Sequence, residues 1–214
     1  MGYDEKIFKA KANIKARRLW LVFAILLTAN YGTDTANGAY SVSNYIIFVI
    51  LCWLPFVCGD ILLKRKGKDN DHYRLAFVIG YGIFYVFLLC TTTSPIAFTY
   101  ILPIISLIVI FKDEKFMIYC AVANMLSLIA SIAFHIFVLG QNTAIDHKNF
   151  QLQIACLLLC YIGYIMSVRH LTESDAALTE SIKSDLNRVV TTVEQVKTAC
   201  NTIMAVSYTH LRAH

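Results

Sequence analysis

Residues 40–68 read YSVSNYIIFVILCWLPFVCGDILLKRKGK: more than twenty positions with one carboxylate, Asp60, closed by a basic cluster at Lys64, Arg65, Lys66 and Lys68. A helix needs about 20 apolar residues to cross a hydrocarbon layer roughly 30 Å thick, and this run is long enough. Comparable runs recur along the chain, and the spacing predicts spans at about 18–36, 40–63, 75–93, 95–111, 116–140 and 151–168. The composition agrees: 57% of the 214 residues are hydrophobic, 15% are charged, and the mean hydropathy is +0.59. Only helices satisfy their own backbone at membrane depth. The expected fold is therefore all-α, a polytopic six-helix transmembrane bundle.

Orientation follows from the cations, because Lys and Arg are retained on the cytoplasmic side. Lys6, Lys9, Lys11, Lys15, Arg17 and Arg18 precede the first span; the cluster ending at Arg74 follows the second; Lys112 and Lys115 follow the fourth; Arg169 follows the sixth. The alternate gaps, around 33–39, 91–95 and 141–150, contain only Lys148. This asymmetry predicts a multi-pass protein of the bacterial inner (cytoplasmic) membrane with both termini in the cytoplasm. It also accounts for the net charge of +5 through contact with anionic lipid, so no nucleic-acid partner is expected. The first span has a second reading: a basic region followed by a short apolar run is also the pattern of a signal peptide.

Ionisable side chains inside spans usually mark ion or substrate paths, and here they are few. Asp60 stands one turn before Lys64, where an i,i+4 ion pair explains it. His135, in the outer half of the fifth span, is the one candidate sensing residue; the alternative is a histidine hydrogen-bonded within the bundle. Asn44, Asn124 and Gln153 are expected as interhelical hydrogen-bond partners. Pro55 and Pro103 fall inside spans, where they either kink a helix or serve packing. The seven cysteines lie in spans or in the tail, so no disulfide framework is implied. Cys156 and Cys160 share a helix face without a third ligand nearby, and read as small buried side chains. No phosphate loop, catalytic triad or metal cluster is present, so neither an enzyme nor a cofactor is expected. The longest outer connection, Gln141 to Asn149, leaves no room for an extracellular ligand-binding domain, so a stimulus would be read within the membrane or at its surface, and a hydrophobic or membrane-derived one is expected.

After Arg169 the composition turns polar, with a heptad pattern. Leu186, Val193 and Cys200 occupy position a, and Ile182, Val189, Val196 and Ile203 position d, which is a coiled-coil seam; an amphipathic helix packed on another domain is the alternative. A seam needs a second strand, so a homodimer is expected. A helix over residues 169–204 would extend about 50 Å.

The stretch DLNRVVTTVEQVKTACNTIM, residues 185–204, resembles the opening of the cytoplasmic signalling helix of methyl-accepting chemotaxis proteins, and the layout resembles clostridial-type receptors with a six-span sensor. The resemblance implies a long antiparallel helical hairpin, glutamates methylated for adaptation, and a tip that docks a histidine kinase through an adaptor. Glu194 and Gln195, at positions b and c, resemble the acidic or amide pair of a methylation site, although Val190 and Lys197 stand where small residues are expected. The next a and d positions, Ser207 and His210, are polar. The stretch VSYTHLRAH, residues 206–214, resembles a translated sequencing-adapter tail, which suggests a truncated gene product.

The expected organisation is thus a cytoplasmic N-terminal segment over 1–17, a six-span transmembrane sensor domain over 18–168, a cytoplasmic coiled-coil signalling helix over 169–204, and a non-native tail over 205–214. Two other functions share parts of this pattern. The sensor half of a histidine kinase or nucleotide cyclase would need a phosphoacceptor His followed by Glu, whereas His170 is followed by Leu171. A small transporter or channel would call for charged or unwound elements near the midplane.

Overall fold

The structure, a computed structural model, describes residues 5–92 and 94–212. It contains six α-helices and, among the described residues, no strand: α1 (Glu5–Ala36), α2 (Val42–Lys66), α3 (His72–Thr91), α4 (Leu102–Ile108), α5 (Glu114–Phe137) and α6 (Ala144–Arg212). Helices α2, α3, α5 and α6 are each long and apolar enough to cross a membrane. The chain divides into two compact units, Met1–Val168 and Arg169–His214. Ala213 and His214, at the end of the stretch read as a non-native tail, lie outside the described residues, as do residues 1–4 and Thr93.

Helix α2 shows why these helices suit lipid. Ile46, Ile50, Leu54, Val57 and Ile61 recur at intervals of three or four and are exposed, while Phe48, Cys52, Gly59 and Leu63, at intervals of four or seven, share the opposite face and are buried. Both faces are apolar, so one serves the protein and the other has no need of water. The buried face carries the small residues that let backbones approach. Pro55 of α2 sits against Gly80 of α3, where an added Cβ would lie 2.3 Å from the Pro55 Cβ. A side chain at position 80 would therefore force the two helices apart, an overpacking cost of about 1–3 kcal/mol. Pro55 thus has a packing role at the α2–α3 contact. Aromatic rings fill the space around it: Trp20 of α1 meets Phe77 and Tyr81 edge-on at 4.9 and 5.1 Å. Tyr31 stacks on Tyr40 and Phe48 at 4.4 and 4.1 Å.

The segment expected as a regular span over 95–111 is a composite. A 3₁₀ stretch at Ala97–Ile101 leads into α4, and a second one at Val109–Phe111 follows. About half of its side chains are buried, among them Phe98, Ile101, Ile104, Ile105 and Ile108, so one side of it packs against protein. Tyr85 donates its hydroxyl to the Phe98 carbonyl at 3.0 Å, and Tyr81 donates to the Tyr100 carbonyl. Pro103 lies in the first turn of α4, where its missing N–H removes no helical bond. Because 3₁₀ turns rise about 2.0 Å per residue against 1.5 Å in an α-helix, the segment from Ala97 to Phe111 covers roughly 26 Å.

The basic end of the Met1–Val168 unit is held by ion pairs. Helix α1 already begins at Glu5, so the described part of the expected 1–17 segment is its first turns. Asn13 donates to the carbonyls of Lys68 and Asn70 at 2.9 and 3.0 Å, and Lys9 pairs with Asp71 at 3.1 Å. Asp60 pairs with Lys64 at 2.9 Å, as its spacing suggested, and also accepts from Arg17 of α1 at 2.5 Å. Asp113 caps α5 by accepting from the Phe116 amide at 3.0 Å and takes the Arg74 guanidinium at 2.7 Å. Burial of this carboxyl opposes ionisation, but the Phe116 amide and Arg74 outweigh it and hold Asp113 below the ordinary aspartate range.

Since the folded state holds the proton less tightly than the unfolded chain, this contribution is complete above the unfolded value of about 3.9 and disappears as pH falls through the folded one. Asp113→Asn keeps a capping side chain and loses the charge. We expect it to lower stability in detergent micelles at pH 7 by up to about 1 kcal/mol, with the gap to the parent chain narrowing as pH falls below the ordinary aspartate range. Asp113→Ala loses the cap as well, for about 1 kcal/mol more. Thermal unfolding of the three proteins across pH 3–7 checks both.

Candidate functional site

At the other end of the same unit, the C-terminal turns of α3 and α5 meet the first turns of α6. His135 belongs to the last turn of α5 and is 7% exposed. Its Nε2 lies 2.7 Å from the Leu89 carbonyl oxygen of α3, and its Nδ1 lies 2.9 Å from Oε1 of Gln141. A carbonyl only accepts, so Nε2 carries a proton. The second contact is satisfied in two ways: the imidazolium donates to Oε1, or the neutral ring accepts from the Gln141 amide nitrogen after that group turns over, since the two amide ends are assigned from the network. His135 thereby joins the end of α3 to one side chain in the α5–α6 connection.

That connection is shaped by its own sequence. Gly140 adopts φ +69°, a left-handed conformation that glycine accepts without strain. Thr143 and Asp146 then cap α6 reciprocally. Asp146 accepts from the Thr143 amide and hydroxyl at 2.9 and 2.7 Å, and the Asp146 amide donates back to the Thr143 hydroxyl at 3.2 Å, in the manner of a capping box. Gln153, one of the expected interhelical partners, donates to the Pro95 carbonyl at 2.8 Å. Thr92 shares a 3.0 Å hydrogen bond with Tyr40 and accepts from the Ser94 amide.

Between these elements lies a cavity of about 90 Å³. Its polar lining comes from Thr92, Ser131, His135, Gln141, Asn149 and Gln153, with Ser94 and Asp146 alongside, and Leu89, Phe98, Ile132 and Phe150 give it apolar walls. Chemically the site offers hydrogen bonds, one imidazole and one carboxylate. No cluster of three or more metal-ligating side chains occurs among the described residues. Gln141, Asp146 and Asn149 escaped the sequence reading because the stretch Gln141 to Asn149 reads as a connection, whereas α6 already begins at Ala144 and places Asp146 and Asn149 in its first turns.

The other residues singled out lie elsewhere. Asn124 bonds across helices to the Tyr161 hydroxyl, whereas Asn44 is engaged through its backbone amide by the Ser41 cap. Cys156 and Cys160 are half-buried. In the Arg169–His214 unit, Ile182, Leu186, Val189, Val193, Val196 and Ile203 are 56–67% exposed, and Cys200 is exposed as well. Glu194 and Gln195 are exposed on the same helix. No protein-family model matches the chain, and no curated protein or solved structure is detectably similar to it.

Replacing His135 by Leu strands the Leu89 carbonyl and the Gln141 side chain. The expected cost is about 1–3 kcal/mol for the buried hydrogen bonds lost, read as a lowered unfolding temperature in micelles; His135→Gln, which keeps a donor, should recover part of it.

Proposed function

We propose that this chain is the membrane sensor part of a sensory transducer resembling the methyl-accepting chemotaxis proteins. In this reading six segments span the bacterial inner membrane with both termini in the cytoplasm. Helix α1 and the composite segment Ala97–Phe111 complete the set begun by the four apolar helices. The rise of the 3₁₀ turns supports counting the latter, since roughly 26 Å approaches the thickness of the hydrocarbon layer.

The observation that carries the reading is the heptad face of α6. Seven apolar positions, from Ile182 to Ile203, lie exposed on a helix whose remaining residues are largely polar. Leaving such side chains in water forgoes on the order of 10 kcal/mol of burial, which a second copy of the same seam recovers. The dimeric helix then relays a stimulus from the membrane unit to a cytoplasmic output, in the full-length protein an adaptor and histidine kinase. Glu194 and Gln195 are the candidate adaptation sites. The chain itself carries out no chemistry in this reading.

Two measurements test it. Cys200 stands at position a, so mild oxidation of native membranes should give a disulfide-linked dimer that Cys200→Ser abolishes; a chain that stays monomeric with Cys200 intact overturns the seam. Reading the genomic frame beyond the codon for Met204 should reveal a heptad-rich hairpin of roughly 250 residues with paired glutamates. A kinase or cyclase domain there instead moves the chain to the sensor enzymes.

A further inference from the structure

We infer that the cavity beside His135 is a binding site for a small uncharged polyol, three or four carbons long. Its size sets the first limit. A water needs about 10–15 Å³ of such space, so 90 Å³ takes roughly six to nine water-sized groups. Glycerol has six non-hydrogen atoms and erythritol has eight; a hexose is too large.

The lining sets the second limit. Amides at Gln141, Asn149 and Gln153 and hydroxyls at Thr92, Ser94 and Ser131 supply most of its polar groups, and each both donates and accepts. An alcohol group makes the same double demand, so the two sides match. Among the described residues no Lys or Arg lines the cavity, which disfavours an anion. Among the described lining residues the one carboxylate, Asp146, already takes two hydrogen bonds from Thr143 on one oxygen, so α6 capping engages half of its accepting capacity. Phe98, Ile132 and Phe150 provide the apolar surface against which a carbon chain packs. The Asn149 side chain makes no hydrogen bond to any described residue, which leaves it for a ligand. The lining is drawn from α3, α5, α6 and the segments that follow α3 and α5, so an occupant would tie α6 to its neighbours. That the polyol is the stimulus rests on the transducer reading above; that it binds does not.

The test is saturation-transfer difference NMR on the full chain in phosphatidylcholine nanodiscs, which contain no sugar detergent. Glycerol and erythritol should give saturable signals that empty nanodiscs lack, weakened at least tenfold by Asn149→Leu and by the cavity-filling Ser131→Leu. Methylammonium and acetate should give none. Exchanging the lipid for phosphatidylglycerol separates two sources of the same chemistry: loss of the free-glycerol signal assigns it to a lipid headgroup, persistence to a dissolved solute, and both support a polyol site. Absence of a saturable signal, indifference to both substitutions, or preference for a charged probe overturns it. Failure here with Cys200 cross-linking intact removes the polyol and leaves the transducer; binding without cross-linking does the reverse.

Discussion

The hydrogen bond from Tyr85 to the Phe98 carbonyl lets an irregular stretch of backbone pack against the rest of the bundle. A 3₁₀ turn has poorer hydrogen bonds than an α-helix, and away from water an unsatisfied carbonyl costs several kcal/mol. Tyr81 and Tyr85, one turn apart on α3, serve the carbonyls of Tyr100 and Phe98 while their rings fill the core. The same stretch then positions Pro95, whose carbonyl takes Gln153 of α6. One face of α3 therefore organises both the centre of the bundle and one wall of the cavity.

The two ends of the Met1–Val168 unit are built from opposite chemistry. At the basic end, three carboxylates, Asp60, Asp71 and Asp113, each tie segments distant in sequence through an ion pair. Such pairs, partly exposed, contribute modestly to stability, but they fix which segments meet. At the far end amides and hydroxyls predominate, with His135 and the Asp146 carboxylate among them, and enclose space rather than closing it. A charged network specifies one arrangement, whereas a neutral one beside a cavity tolerates an occupant.

Much of this was legible in the sequence because the hydrocarbon length requirement acts on composition alone. Apolar runs announced α2, α3, α5 and the first part of α6, and Asp60 announced its partner Lys64 through i,i+4 spacing. The second partner, Arg17, was not legible, since 43 residues separate it from Asp60. Nor was the cavity: His135 stood out as an ionisable group in an apolar run, but Gln141 and Asn149 looked like ordinary residues of a short connection. The 95–111 run read as a plain span because hydropathy does not distinguish 3₁₀ from α, and the tyrosines that support the irregular form lie on another helix.

By itself the sequence determined the helical class, the positions of the apolar segments, the placement of the cations and the heptad spacing along α6, because each depends on the order of residues along one strand. Which face of each apolar helix turns inward was decided only by the tertiary structure. On α2 both stripes are apolar, so hydrophobicity carries no preference, and the choice falls to close packing, with Pro55 against Gly80 and Gly59 against Tyr73. The cavity was decided the same way: its walls come from three helix ends and a turn, and no local pattern encodes the distance between them.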